Sequence, residues 1–321
     1  MMEYSSKNAR KWSRMGERPV FGLTVLEMAK EHKDIIALAA DVASSAGLER
    51  MKMTLPEQFL DTGIAEQNMM GIAAGLASEG YRVVTTTFAP FQSMRCLEQI
   101  RVNLGYMGAK VCMAGLASGF AYGELGNTHC CFEDVAIMRA IPNIAVVSPA
   151  DCMEVAKTVE AALQHDTSVY IRLMGKKDVP VVYAEDYDFQ LGKAITLREG
   201  VDVAIVATGT MVARSLQAAD ILDQQGISAT VVDMHTIKPL DTGCLDKLCE
   251  HNLLVTVEEH NVCGGLGSAV AEYLAPKKER PPHLLIGVED FFPHAGSYEY
   301  VLQQCGLTAE QIAARIRDLC R

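Results

Sequence analysis

Short runs of β-branched and other apolar residues alternate with longer segments rich in alanine, leucine and methionine in the first half of the chain. Each run has the length of one strand, and each longer segment has the length of a helix. The predicted strands are 34–40, 82–87, 110–116, 143–149 and 168–173. The predicted helices are 22–32, 66–79, 92–105, 132–140 and 151–164. This alternation is typical of a parallel sheet covered by helices on both faces.

The pattern stops at residues 175–192, which are rich in charged residues, proline and glycine and are interpreted as a linker. It then resumes, with strands at 202–209, 228–235, 252–260 and 283–290, and helices at 211–225, 266–274 and 308–320. The sequence therefore predicts two α/β domains, at 20–175 and 193–321. Residues 1–19 are expected to form an N-terminal arm that is mobile or packs on a partner.

Composition narrows the class of protein. Hydrophobic residues make up 49% and charged residues 21% of the chain, as in ordinary globular proteins. A net charge of −11 argues against a general nucleic-acid binder. Since no apolar run reaches bilayer length and no secretory signal is evident, a cytoplasmic protein is expected. The ten cysteines are scattered without a CxxC pair, so reduced, mostly buried thiols are expected and a metal site is not.

Several polar and aromatic residues should meet at one edge of the first sheet. Open α/β sheets bind ligands at the carboxyl ends of their strands. Asp41 and Phe88 follow two of these strands, and Glu66 opens the helix before the second. Each residue also has an ordinary interpretation, because Asp41 could cap a turn, Phe88 and Phe91 could be core, and Glu66 could complement the helix dipole.

Four long motifs, taken in order along the chain, favour the ligand-binding interpretation of these residues over the ordinary one. They are FLDTGIAEQNMMGIAAGLASEGYRVVTTTFAPF, GELGNTHCCFEDVAIMRAIPNIAVVSPAD, VVDMHTIKPLD and VTVEEHNVCGGLGSAVAEYL. Together they resemble the C-terminal half of transketolases and 1-deoxyxylulose-phosphate synthases, from about Val20 to the end of the chain. The resemblance implies the pyrimidine-binding domain of thiamine diphosphate enzymes, followed by the transketolase C-terminal domain, which helps the dimer assemble.

The resemblance also implies a role for each residue near the cofactor. Glu66 matches the glutamate that hydrogen-bonds the N1′ nitrogen of the aminopyrimidine and activates thiamine diphosphate, which then serves as electron sink. Phe91 matches the residue that stacks on the aminopyrimidine, with Phe88 beside it. Val42 matches the apolar residue that holds the cofactor bent, and Ile64 would pack nearby. Asp41 matches an aspartate at the dimer interface.

Substrate contacts follow from the same resemblance. His129 matches a histidine that faces the substrate hydroxyls or the intermediate, and it is counted with Glu66 as a catalytic candidate. Ser45, Arg18 and Arg172 match residues that bind the acceptor's phosphate. A guanidinium suits that contact, although a salt bridge is the ordinary alternative for either arginine.

One departure from the family pattern concerns the other end of the cofactor. The family holds the diphosphate and its Mg²⁺ (or Ca²⁺) with a GDG motif of the N-terminal domain, and this sequence contains no GDG. We therefore expect an N-terminal transketolase subunit as partner, which would supply the diphosphate and metal site. The expected assembly contains two copies of each chain (α2β2), with active sites at interfaces.

Further departures concern the substrate loop. Leu125 stands where an aspartate would recognise the C2 hydroxyl, Asn127 replaces a proline, and Ala117 replaces a phosphate-contacting histidine. The expected function is that of a split transketolase, which transfers a two-carbon ketol unit to an aldose with altered acceptor recognition. Three alternatives stay open: a deoxyxylulose-phosphate-synthase-like subunit, a 2-oxo acid dehydrogenase β-type subunit, and a non-catalytic assembly subunit.

Overall fold

The computed structural model describes residues 2–320 and contains two sheets built mainly of parallel strands. The strands are β1 (Ile35–Ala39), β2 (Phe59–Asp61), β3 (Arg82–Phe88), β4 (Val111–Leu116), β5 (Ile144–Val147), β6 (Ser168–Leu173), β7 (Ile195–Arg198), β8 (Val203–Ala207), β9 (Ala229–Asp233), β10 (Thr236–Lys238), β11 (Leu253–Asn261) and β12 (His283–Val288). Their orders are β10-β5-β6-β4-β3-β1-β2 and β12-β11-β8-β9-β7. Only the edge strands β10 and β7 are antiparallel to their neighbours in these two sheets of the described chain. The predicted α/β class is confirmed.

Helices pack on both faces of the sheets. They are α1 (Ser6–Met15), α2 (Glu17–Glu31), α3 (Glu49–Thr54), α4 (Glu66–Ser78), α5 (Leu97–Gln99), α6 (Asp134–Ala140), α7 (Cys152–Ala162), α8 (Met211–Asp223), α9 (Thr242–Leu248), α10 (Leu266–Leu274), α11 (Tyr298–Gln304) and α12 (Ala309–Leu319). Strand β4 shows the arrangement, because Ala114 and Leu116 join one buried cluster and Val111 and Met113 join the other. Alternate side chains of a strand point to opposite faces, so both faces are covered and every residue of β4 is buried.

The N-terminal segment differs from the expected arm. Helix α1 is capped by the Ser5 side chain and packs against α2 and α7. Its Trp12 is only 3% exposed and belongs to the core of the first sheet. Residues 6–15 therefore pack as part of the first domain and not as a mobile arm, because burying the indole on this domain removes a large apolar surface from water.

The helix predicted at 92–105 is also different. Residues 91–95 and 100–106 form π-helical turns on either side of α5. A wider π turn changes the direction of side chains without breaking the segment, and such turns occur often at functional sites. Hydrophobic periodicity does not distinguish π from α turns over so few residues.

The two domains are joined more closely than a linker suggests. Strand β10 comes after the second domain has begun, yet it pairs with β5 of the first sheet. Residues 174–194 contain no helix or strand, and their Tyr183 hydroxyl donates to Asp233 Oδ2 at 2.8 Å. The Tyr183 backbone N–H also donates to Asp151 Oδ2 at 2.8 Å. The linker thus bonds to the start of α7 in the first domain and to β9 of the second.

Candidate functional site

The candidate residues lie at the carboxyl edge of the first sheet. Strand β1 pairs in parallel with β2 and β3, and β3 pairs in parallel with β4, so these four strands end at the same edge. Asp41 follows β1, Phe88 ends β3, and Ala117 follows β4. Both Asp41 and Ala117 have positive φ, near 58° and 54°. Non-glycine residues adopt this conformation rarely, and such residues cluster at functional sites as well as in turns.

Glu66 is the first residue of α4 and is 5% exposed. Its carboxylate lies at a helix N-terminus, where the helix dipole favours a negative charge. The Oε1 atom accepts a hydrogen bond of 2.6 Å from Nη1 of Arg95. An open cavity of ≈ 380 Å³, lined by residues 64–68 and Arg95, adjoins it. Glu66 is therefore a buried carboxylate that lies next to a cavity open to the surface.

Phe91 and Arg95 lie on the same π-helical turn, directly after β3. The guanidinium carbon of Arg95 lies 3.9 Å from the centroid of the Phe91 ring, which is the distance of a stacked cation–π pair. Phe88 meets Phe91 edge to face, with centroids 6.1 Å apart. We call Glu66, Phe91 and Arg95 the Glu66 corner. It combines a carboxylate, an aromatic face and a half-exposed cation.

Tyr122 connects this corner with the substrate candidates. Its ring lies 5.6 Å from that of Phe88 and 6.4 Å from that of His129, in both cases edge to face. Its hydroxyl accepts a 3.0 Å hydrogen bond from Nη1 of Arg18. The structure thus brings Phe88, His129 and Arg18 together around one tyrosine. The sequence analysis missed Tyr122, and its position beside glycine in the AYGELGNTH loop was the available signal.

Arg18 and the loop that carries Ser45 lie side by side. Gly47, at φ +72°, packs so closely that an added Cβ would be 2.8 Å from the Arg18 carbonyl oxygen. Arg18 also donates from Nε to the Gly175 carbonyl at 3.2 Å. Gly175, at φ +85°, has no side chain to collide with this guanidinium. Ser45 is exposed and Arg18 is half-buried, with only Arg18 bonded to Tyr122.

The other cofactor candidates surround the loop before α4. The Asp41 backbone N–H donates to Asp61 Oδ1 at 3.0 Å, and Gly63 donates to the same oxygen at 3.1 Å. This shared acceptor fixes the loop after β1 against the loop after β2. Val42 is buried at its base, whereas Ile64 is 77% exposed. Ile64 thus leaves its apolar side chain on the surface beside the cavity that adjoins the buried Glu66.

The loop that carries Leu125 and His129 is held by the second domain. Glu259 Oε1 accepts a 2.7 Å hydrogen bond from the Phe120 backbone N–H at the start of the loop. Asn127 Nδ2 donates to the Pro293 carbonyl at 2.9 Å. Leu125 is 57% exposed, and His129 Nδ1 lies 2.9 Å from the Thr128 hydroxyl. The C-terminal domain thus positions the loop at 120–129, a role that was not predicted from the sequence.

Arg172 lies near the carboxyl end of β6, which pairs with β4, but its burial corrects its interpretation as a phosphate ligand in favour of the ordinary alternative, a salt bridge. Its side chain is 7% exposed, and Nε lies 3.0 Å from Asp134 Oδ2. Nη2 donates to the carbonyls of Cys131 and Glu259 at 3.1 and 2.8 Å. A buried guanidinium that is already bonded to a carboxylate and two carbonyls joins the domains from inside and does not reach a phosphate.

Residues 2–320 also contain features away from this edge. A cavity of ≈ 580 Å³ lies between the amino ends of β3 and β4 and the second half of α4, at the opposite edge of the sheet. No group of three or more His, Cys, Asp or Glu side chains in this range could hold a metal ion. All ten cysteines are free thiols. No described helix is both long and apolar enough to cross a membrane.

The sequence and the fold of this chain both match one family of known proteins. The family described as "Transketolase, pyrimidine binding domain" matches residues 14–179, and "Transketolase, C-terminal domain" matches residues 192–312. A 6-deoxy-6-sulfo-D-fructose transketolase subunit of Clostridium sp. is 40% identical over 92% of this chain and 91% of its own. A subunit of the apulose-4-phosphate transketolase of Phocaeicola vulgatus is 40% identical over 92% and 94%. The solved structure described as "Split gene transketolase, inactive beta4 tetramer" superposes with a TM-score of 0.85, at 39% identity over 95% and 97%.

Proposed function

The chain belongs to the transketolase family, and we propose that it is the C-terminal subunit of a thiamine-diphosphate-dependent transketolase. The reaction is the transfer of a two-carbon ketol unit from a ketose, or ketose phosphate, to an aldose acceptor. The observation that carries this proposal is the Glu66 corner, where a buried carboxylate and an aromatic face adjoin at the carboxyl edge of the sheet.

The Glu66 corner fits the aminopyrimidine of thiamine diphosphate. A planar, hydrogen-bond-donating group already lies there, because the Arg95 guanidinium is 2.6 Å from Glu66 Oε1 and 3.9 Å from the Phe91 centroid. An aminopyrimidine is also planar, and its protonated N1′ nitrogen is also a donor. The corner therefore accepts a group of this shape and polarity.

Each residue then has a task toward the cofactor. Bound thiamine diphosphate supplies a carbon nucleophile and an electron sink. Glu66 would accept the N1′ hydrogen bond and hold the proton there, while Phe91 would stack on the ring, supported by Phe88. The remaining proposed contacts are apolar packing by Val42 and Ile64, and Asp41 at an interface between subunits.

The substrate is proposed to lie between Tyr122 and the second domain's loops. His129 would face the sugar hydroxyls, and Arg18 and Ser45 would bind an anionic group of the acceptor. Leu125 offers no hydrogen bond at the position where the family recognises the C2 hydroxyl. The two relatives are named for different sugars, a sulfofructose and apulose 4-phosphate. We infer that this chain also acts on an acceptor or donor other than those of housekeeping transketolase.

An N-terminal transketolase subunit is the proposed partner. The two relatives of matching length are themselves named as subunits, and the sequence contains no GDG motif. The partner would hold the diphosphate and its Mg²⁺ or Ca²⁺, in an assembly with two copies of each chain. The surface that carries Ile64 and the Glu66 corner is the proposed contact region.

Reconstitution tests this function. The chain is co-expressed with an N-terminal transketolase subunit, and the purified complex is assayed with thiamine diphosphate and Mg²⁺. One arm offers a panel of ketose donors and aldose acceptors, and a second arm offers pyruvate. Ketol transfer by the complex, but not by the chain alone, is the expected result.

Other outcomes identify the alternatives. Release of carbon dioxide from pyruvate without ketol transfer would assign the chain to oxo acid chemistry. Cofactor binding without turnover on either arm would favour an assembly subunit. A preference for xylulose 5-phosphate and ribose 5-phosphate would remove the proposal of altered substrate recognition while leaving the transketolase activity intact.

A further inference from the structure

Arg95 makes the same two contacts that the proposed function assigns to the aminopyrimidine ring of the cofactor. Its guanidinium carbon Cζ lies over the Phe91 ring, 3.9 Å from the ring centroid. The same group donates from Nη1 to Glu66 Oε1 at 2.6 Å. These are the two protein groups to which the proposed function assigns the aminopyrimidine. The Arg95 side chain therefore occupies both the face of the Phe91 ring and the carboxylate of Glu66.

The Arg95 guanidinium and the aminopyrimidine of the cofactor are chemically similar. A guanidinium and a protonated aminopyrimidine are both planar and delocalised, and both present an N–H donor in the plane of the group. Each can stack on an aromatic ring while it donates to a carboxylate. Because one oxygen of Glu66 and one face of Phe91 cannot serve two planar groups in the same place, the contacts of Arg95 exclude those of the ring.

The exposure of Glu66 and Arg95 indicates that the Arg95 side chain is displaceable and is not part of a fixed structural ion pair. Glu66 is 5% exposed, whereas the Arg95 side chain is 44% exposed. An arginine that is nearly half in water gains little from staying, and the buried carboxylate keeps a hydrogen bond if an arriving donor replaces it. Arg172 is the contrast within this chain, because its guanidinium is 7% exposed and is bonded to Asp134 and two carbonyls.

We propose that Arg95 is a self-capping residue that occupies the aminopyrimidine position on Phe91 and Glu66 until the cofactor displaces it. The proposal rests on the proposed function, since it assumes that the cofactor binds in this corner. It means that the corner is never an unpaired buried carboxylate beside an exposed aromatic ring. It also means that cofactor affinity is set partly by competition with a side chain of the same subunit.

The test compares cofactor binding by variants of the reconstituted complex. Arg95→Met keeps the length of the side chain but removes the planar donor, and Arg95→Lys keeps the charge without the planar group. Arg101→Met is the matched control, because Arg101 lies in the same segment and pairs with the exposed Glu98. The dissociation constant of thiamine diphosphate is measured by calorimetry at fixed Mg²⁺.

We expect Arg95→Met to bind thiamine diphosphate about three- to tenfold more tightly, the gain from removing a competitor of modest strength. Arg95→Lys should bind with intermediate affinity, and Arg101→Met should match the unmodified complex. Millimolar methylguanidinium should weaken cofactor binding to Arg95→Met and restore the original affinity, while it leaves the unmodified complex unchanged. This second readout depends on occupancy of the corner and not on turnover.

Two results would overturn the self-capping proposal. Unchanged or weaker cofactor binding by Arg95→Met would show that Arg95 does not compete, or that it supports the bound ring. An absence of methylguanidinium competition in Arg95→Met would show that the corner does not select a planar cation. If the unmodified complex binds thiamine diphosphate and turns over ketoses, either result contradicts only the role of Arg95. If it does neither, the proposed function itself fails.

Discussion

The Glu66 corner and a second set of acids, Asp151, Glu154 and Asp233, show two ways to bury a carboxylate. We call the second set the interdomain carboxyl cluster. Glu154 is fully buried, and its Oε2 accepts from the Ala150 backbone N–H at 2.7 Å. Burial raises the pKa of Glu154 well above its usual range, with the Asp233 charge adding to the effect, and burial raises the pKa of Asp233 to about 7.

The partners of the two regions differ more than their burial does. In the interdomain carboxyl cluster, buried or half-buried groups surround the acids, with Tyr187 donating to Glu154 and Tyr183 donating to Asp233. The two tyrosine rings stack at 3.9 Å and close the site. Glu66 instead faces one half-exposed arginine and open space. The two regions thus differ in what surrounds the acid, an exposed cation beside a cavity in one and packed tyrosines in the other.

The largest effect should come from replacing one carboxyl group in each region with an amide. Glu66→Gln in the reconstituted complex should lower kcat by about 10²–10⁴-fold, because the variant cannot hold the proton at the cofactor, and the melting temperature should change little. Glu154→Gln should lower the melting temperature and leave turnover per folded complex unchanged. Steady-state kinetics and thermal unfolding of both variants check this. Full activity of Glu66→Gln would refute the assignment of the corner.

The ion pairs Arg172–Asp134 and Arg95–Glu66 should differ in how much each contributes to the stability of the fold. Arg172→Met should lower the free energy of unfolding by about 3–5 kcal/mol, because it leaves Asp134 buried without its cation. Arg95→Met should cost far less, since water reaches its partner once the side chain is gone. Urea unfolding of the chain measures both. Equal losses would contradict the distinction between a fixed interior cation and a displaceable one.

The smallest effect concerns pH. The ordinary pKa of an aspartate is near 4, and the folded-state pKa of Asp233 is about 7. Its contribution to stability is therefore fully present below pH 4 and is lost as pH rises toward 7, since the unfolded chain ionises first. Asp233→Asn keeps the shape of the protonated acid and cannot ionise. Its melting temperature should fall less between pH 5 and 7.5 than that of the unmodified chain, and identical slopes would contradict this assignment.

Much of the fold could be predicted because its signals are local. The longer strands of the first sheet, β1, β3, β4, β5 and β6, were predicted within a few residues, and Glu66 was placed correctly at the start of a helix. Short elements were missed, among them β2 and β10, because three residues carry too little periodicity. Helix α1 was missed because its single Trp12 gives a weak apolar pattern, although that one side chain anchors it.

The candidate site was predictable only in part, for a different reason. Phe88, Phe91 and Glu66 could be selected from their motifs. Arg95 could not, since its bond to Glu66 joins residues 29 positions apart and depends on the π-helical turn. The resemblance assigned Arg172 to a phosphate with a salt bridge as the alternative, and the sequence does not say whether its guanidinium meets solvent or the buried Asp134.

The sequence by itself determined the alternation of strands and helices, the order of the motifs, and the presence of an acid at a helix start followed by two aromatic residues. These follow from side-chain size and polarity over short distances. Only the tertiary structure decided which of the buried acids has an exposed partner, which arginine is interior, and that the second domain holds the loop of Leu125 and His129 through Glu259. Such contacts depend on how distant segments pack, because the energy of a charge is set by what surrounds it in space.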